Sequence, residues 1–403
     1  MHLCFYSDET ASNFLPLTLT RPMDDLRIGV FTIREKWIKT LKPSGWIRQT
    51  KEYLNPLFEC SKVDESDDYF WINSRILPSK DVVEAVLKLK TGEQLFWDDQ
   101  ILCSRLSGVE TNEHLKKDIT PGMKNPQKEF NSDPIVLKYL WDLLELNSSQ
   151  ISSDLKLLPS FFRNEKISTS GIVFSNPENI FIHDTAKIET GCILMADKGP
   201  IYIGPEAIIE AGAILKGPVA ICDKSVVKMG TKLSGGSTIG PVSKVGGEVN
   251  NCIFHSYSNK AHHGFAGNSV FGQWCNLAAG TVTSNLKNSY SKIKIPHWES
   301  GELSNDGVQF FGTVFGDFSR TAINTSLNSG TICGVSSNIF SRGFSPKIIS
   351  SFSWIGDDGV SVYEFEKALI TMKAMMNRRG VELTQDYISM MRYLYQLENA
   401  SGS

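Results

Sequence analysis

The chain has 403 residues, too long for one ordinary core, so two or three domains are expected. With 41% apolar and 21% charged residues the composition is that of a folded globular protein, and a net charge of −3 argues against nucleic acid or an anionic membrane as the main partner. No apolar run approaches the roughly 20 residues that span a bilayer. The opening Met1-His2-Leu3-Cys4-Phe5-Tyr6-Ser7-Asp8 lacks the basic region and apolar core of a signal peptide. Eight cysteines with no C-x-x-C pair or zinc-type spacing read as reduced structural thiols, so a cytoplasmic location is expected.

In chain order, His2–Tyr6 is strand-like and leads into a loop. The segment Phe14-Leu15-Pro16-Leu17-Thr18-Leu19-Thr20-Arg21-Pro22-Met23-Asp24-Asp25-Leu26-Arg27-Ile28-Gly29 follows. Phe70–Pro78 precedes a helix-like stretch, Asp81–Lys90, that Gly92 stops; Gln94–Trp97 reads as a strand before Asp98-Asp99. Strand followed by helix points to an α/β layer. Trp141–Leu144 is helix-like and leads to the polar Asn147-Ser148-Ser149-Gln150.

This front region resembles the divergent sugar nucleotidyltransferase domain found fused to hexapeptide solenoids, with its P-L-T-x-T-R-P-x-x-D-L-R-x-G signature. The resemblance implies transfer from a nucleoside triphosphate (UTP or dTTP) to a sugar-1-phosphate, with Mg2+ held by carboxylates. Mainstream members cradle the phosphates in a G-G-x-G-T-R loop. Here Pro16-Leu17-Thr18 is kept, but Asp8-Glu9-Thr10-Ala11-Ser12-Asn13 carries no glycine. Thr18, Arg21, Arg27, Lys36 and Asn73 are the candidate substrate contacts, and Asp8, Asp98 and Asp99 the candidate metal ligands. Arg21 and Arg27 have an equally plain structural reading, as ion-paired arginines beside Asp24 and Asp25. Three readings of the domain stay open: an active transferase, a nucleotide-sugar binder that has lost chemistry, or an assembly scaffold.

Beyond residue 180 the texture changes to a repeat of six. Ile203, Ile209, Leu215, Ile221, Val227, Leu233, Ile239 and Val245 are all branched aliphatic. Four residues on from each stand Ala207, Ala213, Val219, Ser225, Thr231, Ser237, Ser243 and Val249, all small or β-branched. Two such columns describe a coil with short flat faces, one aliphatic side chain per face turned inward and a small residue at each tight corner. Ile182, Ile188 and Leu194 extend the register upstream, and Phe315, Thr321, Leu327, Cys333 and Ile339 downstream. Two stretches, 251–270 and 283–310, break the period and are expected to be loops inserted on one face.

The first break contains Lys260-Ala261-His262-His263-Gly264-Phe265-Ala266-Gly267, and the coil after it Asn276-Leu277-Ala278-Ala279-Gly280-Thr281-Val282-Thr283-Ser284-Asn285. These residues resemble the acetyltransferase half of the bifunctional N-acetylglucosamine-1-phosphate uridyltransferase family, with its A-N-H-L-x-Y-x-G-D and N-I-G-A-G-T-x-T-x-N segments. Aligned without gaps on Gly267, His262 falls on the catalytic histidine, Ala279-Gly280 on the G-A-G-T turn and Asn285 on the substrate-contacting asparagine; His263 is one residue off. The resemblance implies a left-handed coil and an acetyl-CoA cosubstrate. An imidazole suits a base working near pH 7, and a backbone N–H at the Ala279-Gly280 turn would hold an oxyanion. The family has an aromatic and a lysine after the asparagine where this chain has Leu286-Lys287-Asn288, so Lys287 is kept as a candidate contact and the acceptor is left open.

The tail, about 360–398, is helical in pattern, with a stop at Arg378-Arg379-Gly380 and Thr384 capping a second helix. The expected architecture is an α/β nucleotidyltransferase-like domain (1–155), a linker (156–180), a left-handed parallel β-helix of hexapeptide repeats (181–350) and a short helical C-terminal tail (351–403). The expected protein is a bifunctional enzyme of activated-sugar metabolism, acting on nucleoside triphosphate, sugar-1-phosphate and coenzyme A thioester. It is expected to be a homotrimer, because a triangular prism packs against two copies of itself. The alternatives are a single-activity acyltransferase and a non-catalytic nucleotide-sugar-binding assembly protein.

Overall fold

A computed structural model describes residues 1–58, 61–118, 120–122, 127–158 and 171–401. The chain forms two compact units: one of residues 1–14, 21–26 and 31–140, the other of 15–20, 27–30 and 141–403. Of the expected linker, residues 159–170 lie outside the described residues, as does Cys60.

The first unit is a mixed sheet with helices. Its strands are β1 (His2–Tyr6), β2 (Gly45–Arg48), β3 (Asp68–Asn73), β4 (Gln94–Trp97), β5 (Gln100–Ser107) and β6 (Gln127–Glu129), in the order β2-β1-β3-β5-β4-β6. β1 lies parallel to both β2 and β3, whereas β5 runs antiparallel to β3 and β4. A parallel neighbour needs a crossover, and α1 (Ile33–Leu41) lies on the one from β1 to β2. Thr32 starts α1 with a capping box: its side chain accepts from Glu35 N while the Glu35 carboxylate accepts from Thr32 N. Ser107 and Glu110 repeat the device at the helix Gly108–Lys117. β1 is buried along Leu3–Tyr6, as a strand covered on both faces requires.

The second unit is a parallel β-solenoid. Ile203 pairs with Ile221 and Ile221 with Ile239, a spacing of 18 residues, so three hexapeptides make one turn. A second face carries Ile188, Ile209, Val227 and Val245 in register, and a third Leu194, Leu215, Leu233 and Val249. The small column is buried from Ala207 to Ser243, whereas Val249, assigned to it by spacing, stands in the third inward column after Leu233. Its hydroxyls serve the corners: Ser225 Oγ donates to Gly240 O at 2.8 Å, and Ser258 Oγ to Gly272 O at 2.8 Å. A larger side chain would lose both the fit and the hydrogen bond.

The two breaks in the period differ. Across 251–270 the chain never leaves the coil. Glu248–Ser256 and Phe265–Gln273 are long strands paired along their length, and Phe254 succeeds Ile239 in its column after only 15 residues. The turn is shortened rather than interrupted, and stacked phenylalanines fill the space: Phe254 on Phe271 at 4.7 Å, then Phe315 edge-on at 5.7 Å. The expected inserted loop is therefore absent there. The second break does hold an insertion, the antiparallel hairpin of Ile293–Pro296 with Leu303–Val308.

The tail folds into α2 (Phe365–Asn377) and α3 (Gln385–Ser401). Gly380 ends the first in a left-handed conformation (φ 68°), and Thr384 Oγ1 accepts from Tyr387 N. The seven described cysteines are buried free thiols, and burial pushes Cys252 and Cys333 up to about 12. No helix among the described residues is long and apolar enough to cross a membrane.

The inward columns should carry the stability of the solenoid. Ile221→Ala is expected to cost about 2–5 kcal/mol in urea unfolding, while Met229→Ala, at a site 72% exposed, should stay within about 0.5 kcal/mol.

Candidate active site

Pairing of successive turns stacks Lys244, Asn259, Asn276 and Arg320 rung above rung on the outside of one face. With the end of α2 they wall a cleft of about 770 Å³. Lys228, Lys244, Arg320, Arg378 and Arg379 line it, and no acidic side chain is among its lining residues. Burial, then the neighbouring Arg379, Lys228 and Arg378, holds Lys244 below the usual lysine range; burial and Arg378 do the same for Arg379. Such mutual repulsion marks positive charge gathered in excess, which favours an anionic occupant. Some of the charge is spent locally, since Lys228 pairs with Glu210 and Arg379 donates to Asn259 Oδ1 at 2.8 Å. Tyr257 and Trp274, stacked at 4.2 Å, form the apolar part of the wall.

His262 lines this cleft, and so do Ala278 and Ala279. Both His262 and His263 are exposed. Their backbone is tied on both sides: Lys260 Nζ donates to His262 O at 2.9 Å, and Gly280 N donates to His263 O at 3.0 Å. Gly280 needs its glycine, because φ is 74° and a Cβ would stand 2.0 Å from Asn324 Oδ1. In the turn itself, Ala278 N donates to Thr321 Oγ1 at 3.1 Å and Gly280 N is taken by His263. Asn285 is not part of the cleft wall; its amide donates to Asn268 Oδ1 at 2.7 Å. Lys287 Nζ donates to Lys292 O at 2.8 Å. The structure thus brings His262 and Ala279 together and leaves Asn285 and Lys287 with other partners.

In the first unit, Asp8 and Asn73 follow or end β1 and β3, at the carboxyl edge of the parallel strands where α/β sheets hold ligands. They meet Arg75, 1% exposed, whose Nε donates to Asp8 Oδ1 at 2.7 Å. Its Nη2 reaches Asp8 Oδ2 and Gln100 Oε1, and its Nη1 donates to Leu137 O at 2.8 Å. Asn73 Nδ2 adds a bond to Asp8 Oδ2 at 2.7 Å. Burial raises the Asp8 carboxyl, but the Arg75 bonds and charge outweigh it and hold it below the usual range. A second charged cluster joins Arg48 to Asp24 at 2.7 Å and Arg34 to Asp24 and Asp25 at 3.2 Å, with Arg34 and Arg48 on Trp46.

The other sequence candidates are placed as follows. Arg21 is buried with Asp25 at 3.8 Å, and Lys36 is buried on α1. Thr18 and Arg27 belong to the second unit, where Arg27 donates to Val30 O and, at 3.2 Å, to His255 O. Asp98 and Asp99 form the exposed turn between β4 and β5. Among the described residues no group of three His, Cys, Asp or Glu side chains is placed to hold a metal ion, and both Asp8 oxygens are engaged. The carboxylates proposed for Mg2+ do not fit that role as they stand.

Sequence reading missed the five cations of the cleft, as well as Arg75, Arg34 and Arg48. The signal for Lys244 and Arg320 lay beside the inward column, one residue before Val245 and Thr321.

Comparison with known proteins bears first on the front of the chain. Residues 3–160 match the model of a sugar nucleotidyl transferase family. The chain is also similar to curated proteins described as "Bifunctional protein GlmU". One from Cyanothece sp. is 23% identical over 214 residues, 48% of this chain and 43% of its own. One from Streptococcus equi subsp. zooepidemicus is 24% identical over 280 residues, 62% and 56%. The chain spans about half the length of the curated relatives it matches. Among solved structures, the polysialic acid O-acetyltransferase OatWY aligns over 48% of this chain and 84% of its own, with 13% identity and a TM-score of 0.27.

The Asp8–Arg75 pair makes a pH prediction. A carboxyl with a depressed folded-state pKa stabilises above its unfolded value and loses that stabilisation as pH falls through the folded one. Thermal stability should fall below about pH 4, and Asp8→Asn should flatten that fall. At pH 7 the same change should cost about 3 kcal/mol by stranding the buried Arg75. Melting curves between pH 2 and 7 measure both.

Proposed function

We propose that this protein is a bifunctional enzyme of activated-sugar metabolism, whose second unit transfers an acyl group from a coenzyme A thioester to an amino sugar. The observation that carries the acyl half is the five-cation cleft with His262 on its wall. Lys228, Lys244, Arg320, Arg378 and Arg379 suit the phosphates of the coenzyme, and the Tyr257–Trp274 wall suits its apolar portion. The amine nitrogen attacks the thioester carbonyl while His262 takes its proton. Negative charge grows on the carbonyl oxygen, and the Ala279 N–H is its donor, since the amides on either side are already bonded. Collapse breaks the C–S bond, and the proton returns from the imidazole to the leaving thiolate.

The family match over 3–160 supports nucleotide chemistry in the first unit: a nucleoside triphosphate and a sugar-1-phosphate would give a nucleotide sugar and pyrophosphate. A second reading, binding without transfer, is favoured by the hold of Arg75 on Asp8 and by the burial of Arg21 and Lys36. A panel of sugar-1-phosphates and triphosphates, with and without Mg2+ and acetyl-CoA, separates the two. Pyrophosphate release supports transfer; nucleotide-sugar binding without release supports the second reading.

His262→Ala should lower acyl transfer about 100-fold or more without loss of folding; if His263→Ala is the damaging change instead, the base is its neighbour. We also propose a homotrimer with cytoplasmic location, the three-sided coil packing around a threefold axis. Light scattering at micromolar concentration should give three chain masses, and one chain mass would reject the assembly.

A further inference from the structure

The inward column that holds Val227 and Val245 is continued not by an aliphatic residue but by Lys260. It pairs with Val245 across the strands, and the next turn places Leu277 beyond it. Its side chain is 0% exposed. A lysine stem fills such a place as well as a methionine would, so the question is what the amine does. It bridges two turns: Nζ donates to Gly246 O at 3.2 Å and to His262 O at 2.9 Å. These turns lie against each other so closely that a Cβ on Gly246 would stand 2.5 Å from Ala261 O, and one on Gly247 2.6 Å from Gly264 O. Carbonyl oxygens crowded at one corner repel, and a cation between them removes the repulsion.

We infer that Lys260 is the positioning residue for His262, its ammonium holding the His262 carbonyl to the Gly246 turn and so fixing the imidazole on the cleft wall. It touches no substrate and acts through the backbone. The inference rests on the acyl-transfer reading of the cleft, because it concerns the aim of that base. Burial lowers Lys260 to about 8, so the tether carries its charge at neutral pH and below. The titratable group that acts on it is Cys252, itself pushed up to about 12 and so neutral. The ammonium therefore loses its proton just above neutral pH, and the hold on His262 weakens there.

The test uses the full-length Lys260→Met, which keeps the apolar stem, and Lys260→Gln, which keeps an N–H donor. In Lys260→Met the kcat for acyl transfer should fall about 10- to 100-fold, with KM for acetyl-CoA within about twofold. The fall in wild-type rate as pH rises through about 8 should vanish. Lys260→Gln should recover part of kcat. Stability should move the other way. The unfolded chain holds this proton up to about 10.5 and the folded one only to about 8, so wild type gains stability across that window. Below it, Lys260→Met should melt no lower than wild type, because a buried charge has been removed. Hydrogen exchange at residues 261–264 should be faster in Lys260→Met and unchanged elsewhere. Unchanged kcat, or a rate loss that tracks a lower melting temperature, overturns the inference. If wild type transfers no acyl group, the acyl reading fails by itself; faster exchange confined to 261–264 then still supports Lys260 as the tether, and unchanged exchange rejects it.

Discussion

Closure of the 18-residue turn governs everything the second unit does. Each turn must bring three inward side chains onto those of its neighbours, and the backbone between them must bend at corners where only small side chains fit. Once the inside is settled, the residue before each inward position faces outward at a height set by the strand spacing. Lys244, Asn259, Asn276 and Arg320 are such residues. A cleft wall is thereby a by-product of the core, and its rigidity is the core's rigidity.

The shortened turn at 251–270 shows how the same constraint accommodates function. A full turn of 18 residues from Val245 would have put His263 into the column at the place where Lys260 stands. Losing residues brings the chain back early, and bulky phenylalanines take up the inward space on the neighbouring face. The corner after Lys260 keeps the regular six-residue step to Ala266 and holds His262 and His263, anchored from within by Lys260 and from the next turn by Gly280. The shortening falls before that corner, in the steps from Val245 to Val249 and from Val249 to Phe254.

The solenoid was legible because periodicity of six survives in single residues: from Ile203 to Val245 every expected position is branched aliphatic and buried. The break at 251–270 was legible as a break but not as a shortened turn, since a shifted register and an inserted loop look alike in sequence. For the same reason Lys260 could not be read as inward. The cleft's cations were hidden for another reason: Arg378 and Arg379 end a helix, and a helix end in sequence carries no address on a distant face. The α/β layer of the first unit showed in β1 and in the helix-like 81–90. The Arg75–Asp8 bond did not, because nothing local distinguishes a carboxylate that faces solvent from one held by a guanidinium 67 residues away.

The early signature segment is shared out between the units in short lengths, with 15–20 and 27–30 in one and 21–26 in the other. The pieces given to the second unit are bonded into it. Thr20 donates to Asp317 at 2.8 Å, Thr238 donates to Gly29 O at 2.9 Å, and Asn147 accepts from Gly29 N at 2.6 Å. No cut near residue 140 therefore leaves the second unit whole. Separating the two would leave the coil without chain that its own buried polar groups bond.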